Sequence, residues 1–173
     1  MSSTDRSRPA RVITILALCT ALVFGLQVAL AAIPNGETVT LLFLLFTLYF
    51  RYKTLYIIYA FAVIEGLTYG FGIWWIMYLY VWTILWGVVM LLGRQPRPAW
   101  FWAVLAAFYG LCYGLLCALP YWFAGGLSMA FAWWVAGIPY DIAHCIFNFI
   151  IVLTLFKPLD ALFAKLQARG MLI

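Results

Sequence analysis

The stretch Gly93-Arg94-Gln95-Pro96-Arg97-Pro98 separates two long apolar segments near the middle of the chain. One glycine and two prolines within six residues stop a helix and mark a loop. The two arginines make this break one of the few charged places in the sequence. A second charged break carries Arg51 and Lys53. These charged breaks indicate that the apolar segments between them are helices threaded through a membrane.

The basic residues follow a strict alternation along the chain. All ten Lys and Arg residues lie in every second break: Arg6, Arg8 and Arg11 precede the first apolar segment, Arg51 and Lys53 follow the second, Arg94 and Arg97 follow the fourth, and Lys157, Lys165 and Arg169 follow the sixth. Short loops rich in Lys and Arg stay on the cytoplasmic side of a membrane. The pattern therefore predicts six crossings with both termini in the cytoplasm.

The composition excludes several classes of protein. Of the 173 residues, 68% are hydrophobic and only 9% are charged, whereas a soluble domain has about 25% charged residues. The net charge of +5 sits in the breaks, so it does not form the basic face that a nucleic-acid-binding protein needs. We therefore expect a multi-pass protein of the cell membrane in contact with lipid, with no nucleic acid as a partner.

The expected architecture is an all-α bundle of six transmembrane helices. The segments are expected at about 12–32, 34–50, 54–72, 75–92, 100–123 and 139–156, with Pro34 and Pro139 opening the second and the sixth. Residues 1–11 form a cytoplasmic N-terminal segment, 12–157 the transmembrane domain and 158–173 a cytoplasmic amphipathic tail. The stretch Ala124–Gly137 is expected to be an outer loop that lies on the protein or dips into it.

Four polar side chains lie inside apolar segments. They are Glu65 in the third segment, and Asp141, His144 and Asn148, whose i, i+3, i+7 spacing places them on one face of the sixth. A carboxylate near the bilayer centre costs about 2.5–3.5 kcal/mol on insertion scales. These groups should therefore face the bundle, either as a polar cluster that joins helices or as a site that opens outward. Glu37 has a simpler role available at the start of a helix, where the helix dipole favours an anion.

Aromatic side chains are abundant at the same outer level. The residues concerned are Tyr69, Trp75, Tyr78 and Trp82. They belong either to the aromatic belt of a membrane protein or to a pocket for a flat, ring-bearing ligand. On the second alternative, the candidate substrate-binding residues are Glu65, Tyr69, Trp75, Tyr78, Trp82, Asp141, His144 and Asn148.

Motifs for several kinds of chemistry are missing from the sequence. It contains no phosphate-binding G-x-x-x-x-G-K-[ST], no G-x-S-x-G and no H-E-x-x-H. We expect neither a metal site nor a cofactor. A single His near Asp141 does not make a pair of catalytic base and nucleophile apparent, so we expect no catalytic activity in this chain.

Several stretches resemble the substrate-binding S components of energy-coupling factor (ECF) transporters, which belong to the ABC transporters. They are Ala17-x-x-x-Ala21 in the first segment, Ala32-Ile-Pro-Asn-Gly-Glu-Thr-Val-Thr-Leu-Leu42, the Tyr-Gly-Phe-Gly-Ile-Trp-Trp run from Tyr69 to Trp75, and Gly137-Ile-Pro-Tyr-Asp-Ile-Ala-His-Cys-Ile-Phe-Asn-Phe149. The resemblance covers nearly the whole chain, and the nearest likeness within the family is a cobalamin-type S component.

The resemblance implies vitamin or micronutrient uptake in a prokaryote. Residues 12–157 would bind the substrate from outside, with cobalamin as the first expectation and thiamine, riboflavin or a pyridoxine-like ligand as alternatives. Partner subunits would supply the energy: two ABC ATPases and a transmembrane coupling subunit, which meets the alanine motif in this family. That motif corresponds to Ala17 and Ala21 here.

Two other functions remain open at this point. The chain could be a stand-alone secondary transporter that uses Glu65 or Asp141 as a proton carrier. It could also be an intramembrane enzyme that uses Asp141 together with His144. The absence of inverted repeats argues mildly against the first.

Overall fold

The computed structural model of the chain describes residues 3–32 and 36–172. Within those ranges every regular element is helical, which confirms the all-α prediction. The helices are α1 (Ser3–Leu30), α2 (Val39–Phe50), α3 (Thr54–Tyr69), α4 (Ile73–Tyr78), α5 (Val81–Leu92), α6 (Ala99–Cys117) and α7 (Leu119–Ala168), and a short 3-10 turn (Arg51–Lys53) joins α2 to α3.

Helix α2 lies at the centre of the bundle. Ten of its twelve residues are buried, and α1, α3, α5 and α7 pack around it. Its sequence is apolar on every side, and a helix of that kind belongs in a core rather than at a surface. Phe43, Leu44, Leu45 and Phe46 are fully buried. The other helices are therefore arranged around an apolar helix that is only about 18 Å long, at 1.5 Å per residue.

The chain reverses direction between α2 and α3. Arg51 has a positive φ of 54°, its carbonyl accepts a hydrogen bond from Trp86 Nε1 at 3.1 Å, and the rings of Phe43 and Phe61 meet at 5.6 Å across the two helices. Five helical stretches of the described chain are long and apolar enough to cross a membrane: Pro9–Leu30, Val39–Tyr69, Ile73–Leu92, Ala99–Cys117 and Leu119–Ala168. The second of these is the α2–α3 hairpin.

Helices α6 and α7 form a second hairpin, and it corrects the expected loop at Ala124–Gly137. Only Gly125 and Gly126 depart from helical geometry, with Gly126 at φ 80°, and Tyr121 stacks on Trp133 at 4.6 Å across the reversal. The two glycines do break the helix, but the apolar residues after them resume it at once. Pro139 therefore lies inside α7 and does not open a helix.

A stripe of small residues on α6 receives the polar stripe of α7. Gly114 N donates a hydrogen bond to Asp141 Oδ1 at 2.9 Å, and a Cβ at Gly114 would lie 2.3 Å from Asp141 Oδ2. A Cβ at Gly110 would lie 3.0 Å from the backbone of His144. The glycines thus allow α7 to approach closely enough to bury Asp141, His144 and Asn148.

Basic residues gather at one end of the bundle, called the basic end below. Arg51 and Arg94 line one cleft there, and Arg94 and Arg97 line another. The Arg11 guanidinium donates a hydrogen bond to Gly170 O, so the first and last helices meet at this end. Basic residues that lie far apart in the sequence are thus brought to one end of the bundle.

The segment 158–173, expected as an amphipathic tail, consists mostly of the last part of α7. It continues α7 without interruption to Ala168, and Phe163 packs against Tyr49 at 5.2 Å. The Tyr49 hydroxyl donates to Asp160 Oδ1 at 2.7 Å. The tail is therefore docked on the end of α2, and Leu162 is left 48% exposed.

Other helix boundaries differ by a few residues from the expected ones. Helix α1 begins at Ser3, well before the expected start near residue 12, and the fourth segment is divided into α4 and α5. The second segment begins as α2 at Val39, and Pro34, which was expected to open it, lies outside the described residues.

Replacing Gly114 with Ala should destabilise the protein. The added methyl group would displace the Asp141 carboxylate from the Gly114 N–H, so we expect the free energy of unfolding to fall by about 1–3 kcal/mol. Gly87→Ala on α5 is the matched control, since nothing lies within 4 Å of its Cβ position. Thermal unfolding of both variants in the same detergent measures the effect, and equal midpoints would contradict the packing described above.

Candidate functional site

A cavity of about 450 Å³ lies at the end of the bundle opposite the basic end. All seven helices of the described chain and the segment before α2 contribute to its wall. The described residues that line it are Gln27, Leu30, Ala31, Gly36, Glu37, Val39, Tyr69, Met77, Tyr78, Trp82, Tyr113 and His144. A volume of this size lies within the range of about 300–1,000 Å³ that is typical of small-molecule sites.

Glu37 and His144 form the polar centre of the cavity wall. Glu37 Oε1 lies 2.9 Å from His144 Nε2, and Glu37 Oε2 accepts a hydrogen bond from Thr40 N at 3.0 Å. The same carboxylate thus caps the start of α2 and holds the imidazole of α7. Burial alone would raise the pKa of Glu37, but the hydrogen bonds from His144 and Thr40 outweigh it and hold that pKa below its ordinary value.

Aromatic rings form the walls beside this pair. Tyr113 meets the His144 ring edge-on at 4.9 Å, and Trp82 lies 5.6 Å from Tyr113 and 6.1 Å from Tyr78. Trp82 is only 3% exposed, and its indole N–H has no hydrogen-bond partner in the described chain. A buried donor of this kind is normally satisfied. It is therefore a donor that a molecule in the cavity could use.

Glu65 lies behind the cavity wall and is 2% exposed. The Gln27 side-chain amide reaches both the Glu65 carboxylate and the Tyr78 hydroxyl, so two cavity-lining residues link Glu65 to the site. Within the described residues, Glu65 Oε1 has no hydrogen-bond partner. Tyr69, one turn further along α3, lines the cavity itself.

Three of the predicted site residues lie away from this cavity. Asn148 is buried and donates to Thr40 Oγ1 and to Ala106 O, both at 3.3 Å, so it joins α2, α6 and α7. Trp75 donates to Ala62 O at 2.7 Å and packs on α3. Asp141 lines a separate cavity of about 320 Å³.

Asp141 and His144 have different partners although they share a face of α7. Asp141 is bound to Gly114 N and His144 to Glu37. Tyr113 lines both cavities and lies between them. No hydrogen bond joins Asp141 and His144 to each other within the described chain.

Sequence reasoning missed several residues of the cavity. Glu37 was assigned only a helix-end role, which it does perform, but its pairing with His144 depends on how the segment before α2 meets α7. Gln27 offered a signal as a lone amide in an otherwise apolar segment. Nothing in the sequence distinguishes Tyr113 and Met77 from other residues of apolar helices.

Ala17 and Ala21 lie on the outside of the bundle. Both are exposed on α1, and Gly25, one turn further, has open space where its Cβ would be. Leu18 beside them is 65% exposed. This face of α1 is therefore available to lipid or to another protein.

No family model, curated protein or solved structure matches the chain. What the site can do must follow from its own chemistry. It offers a small, aromatic-walled space with one carboxylate–imidazole pair and an unpartnered indole N–H. These groups can hold a ring-bearing molecule by stacking and a few hydrogen bonds.

Proposed function

We propose that this protein is a membrane-embedded binding subunit that captures a vitamin-like micronutrient for uptake, as the S component of an ECF transporter. Two ABC ATPases and a transmembrane coupling subunit would energise release into a prokaryotic cell. The chain itself would bind the substrate without altering it. The observation that most directly supports this proposal is the aromatic cavity around Glu37 and His144.

The cavity favours capture over conduction because it ends inside the bundle. Trp82 lies at its base and packs on Phe43 at 5.3 Å and on Phe61 at 6.5 Å. Both phenylalanines are fully buried. A solute that enters from the cavity end would meet this closed core, so its release on the other side requires a larger rearrangement. A subunit driven by partner ATPases would undergo such a rearrangement.

The exposed face of α1 supports a partner interaction. Ala17, Ala21 and Gly25 form a stripe of small residues that permits close approach of another helix. In the S components that this chain resembles, the alanine motif meets the coupling subunit. We propose the same role for Ala17 and Ala21.

The proposal includes six crossings with both termini in the cytoplasm. Its support is the reversal at Arg51, which divides the stretch Val39–Tyr69 into two antiparallel helices, and the contact of Arg11 with Gly170 at the basic end. Lys and Arg favour the cytoplasmic side. The cavity would then face outward, where a captured nutrient arrives.

The size of the cavity bears on the substrate. Cobalamin carries a macrocycle and a nucleotide tail, and it is much bulkier than the drug-sized ligands that fill sites of about 300–1,000 Å³. A volume of about 450 Å³ favours a molecule with one or two rings. We therefore favour a smaller ring-bearing micronutrient over the cobalamin suggested by the resemblance.

A stand-alone proton-coupled transporter is the second candidate function. The observation in its favour is that Glu65 Oε1 and Asp141 Oδ2 are buried without a hydrogen-bond partner in the described chain. Intramembrane carboxyls in such positions serve as proton carriers in transporters. Uptake by the chain alone, without ATPases, would favour this function over the first.

Changing Trp82 to Ala should weaken binding of the ring-bearing solute that we assign to the cavity. Loss of the ring removes a wall of the cavity and its indole donor, so we expect the dissociation constant to rise tenfold or more. A tenfold rise corresponds to a loss of about 1.4 kcal/mol of binding free energy. Calorimetry on solute-free protein measures it. Trp100→Ala is the control, because Trp100 is 60% exposed and does not line the cavity. Equal affinities in the two variants would place the binding site elsewhere.

Ala17→Trp and Ala21→Trp should abolish ATP-driven uptake and leave binding by the isolated chain intact. The bulky ring would prevent close approach of the coupling subunit, and neither alanine touches the cavity. Uptake and binding are measured in parallel. Ala132→Trp, the same change at an exposed position of α7, is the control. Normal uptake in both α1 variants would contradict the docking role.

A further inference from the structure

A carboxylate belongs to the cavity wall, and basic side chains lie elsewhere in the described bundle. Of the five carboxylate side chains in the sequence, Glu37 lines the cavity and Glu65 lies directly behind its wall. No Lys or Arg is among the described residues that line the cavity, and the clefts that do contain Arg lie at the basic end. A charged solute in the cavity would therefore meet the Glu37 carboxylate, with Glu65 behind the wall, and no Lys or Arg among the described lining residues.

Glu65 is the carboxylate without compensation in this region. Glu37 has His144 and Thr40 as hydrogen-bond partners. Glu65 has only the uncharged Gln27 and Tyr78 nearby, and one of its oxygens is unpartnered. A buried carboxyl in an apolar region is neutral when protonated and, when ionised, is stabilised by a nearby positive charge. The described chain supplies none, and a bound solute can.

The rings around the cavity suit a cation for a separate reason. Tyr69, Tyr78, Trp82 and Tyr113 all line it. The planes of Tyr78 and Trp82 are 80° apart and those of Trp82 and Tyr113 are 45° apart, so the rings form differently oriented walls rather than one stack. Aromatic walls of this kind hold cationic nitrogen centres through the negative faces of the rings.

We propose that the cavity selects a flat-ring solute that carries a positively charged nitrogen, with Glu65 as the residue that determines the charge preference. This inference rests on the proposed function and specifies its substrate class. The ring stacks among Trp82, Tyr78 and Tyr113, and the charge lies toward Gln27 and Glu65. The free indole N–H of Trp82 adds one donor for an acceptor atom on the solute.

Other solute classes match these groups less well. An anion would meet the Glu37 carboxylate and no Lys or Arg among the described lining residues. An uncharged ring would gain no charge interaction with Glu65. A bare metal ion would gain little from four aromatic walls, and within the described residues no three His, Cys, Asp or Glu side chains come together as ligands.

The test uses the full-length chain in lipid nanodiscs, freed of bound solute, and calorimetry with three probes that share one ring. They are 1-methylnicotinamide, which is a cation, nicotinamide, which is uncharged, and nicotinate, which is an anion; thiamine serves as a larger ring cation. We expect a cationic probe to bind at least tenfold more tightly than nicotinamide, and nicotinate to bind most weakly.

Substitutions then locate the charge preference. Glu65→Gln should remove most of the preference for the cation, and Glu65→Asp, which keeps the charge, should retain part of it. Asp160→Asn at the basic end should leave it unchanged, because Asp160 bonds to Tyr49 far from the cavity. Thermal unfolding identifies any variant that fails to fold, and Glu37→Gln provides a second carboxylate that should act in the same direction.

The outcomes separate the two proposals. Equal or tighter binding of nicotinamide or nicotinate, or a charge preference that survives Glu65→Gln in a folded protein, would overturn the cation inference and leave capture in place. If no probe binds, mass spectrometry of any solute that copurifies with the chain tests the inference. A ring cation would support the inference, and a neutral or anionic solute would overturn it. A chain that binds no probe and carries no solute would overturn the proposed function as well.

Discussion

The hydrogen bond between Glu37 and His144, 2.9 Å long, joins the start of the central helix to the polar stripe of α7. Glu37 also caps α2 through Thr40, so one carboxylate fixes the end of the most buried helix and one wall of the cavity. If the pair were absent, the imidazole would be a buried polar group without a partner on this side. The geometry of the cavity therefore depends on an interaction that also stabilises the fold.

The close approach of α6 and α7 makes this interaction possible. Gly110 and Gly114 leave room for the backbone and carboxylate of α7, which brings His144 to the level of Glu37 and places Asn148 against Thr40 and Ala106. The polar residues of α7 therefore divide into two roles. Asp141 and Asn148 bind neighbouring helices, whereas His144 reaches the cavity.

Much of the fold could be predicted from the sequence, but only part of the site could. The breaks at Arg51 and Arg94 are decided by local chemistry, and the shared burial of Asp141, His144 and Asn148 follows from helical spacing. Helical spacing predicts that these side chains share a face, however, and does not predict which neighbouring helix each of them contacts. Glu37 was missed as a cavity residue because its partner lies more than one hundred residues away. The helix after Gly126 was missed because the uncharged apolar piece that follows the two glycines is too short to span a membrane by itself, which favoured a loop.

The central claim is that the cavity around Glu37, His144 and Trp82 holds a small ring-bearing solute. Mass spectrometry of the protein purified from cells without added ligand tests it most directly. The account predicts one solute of one or two rings in near-stoichiometric amount, retained by wild-type protein and by Trp100→Ala and lost from Trp82→Ala. A preparation that contains no solute, or a solute retained equally by both Trp variants, would contradict it.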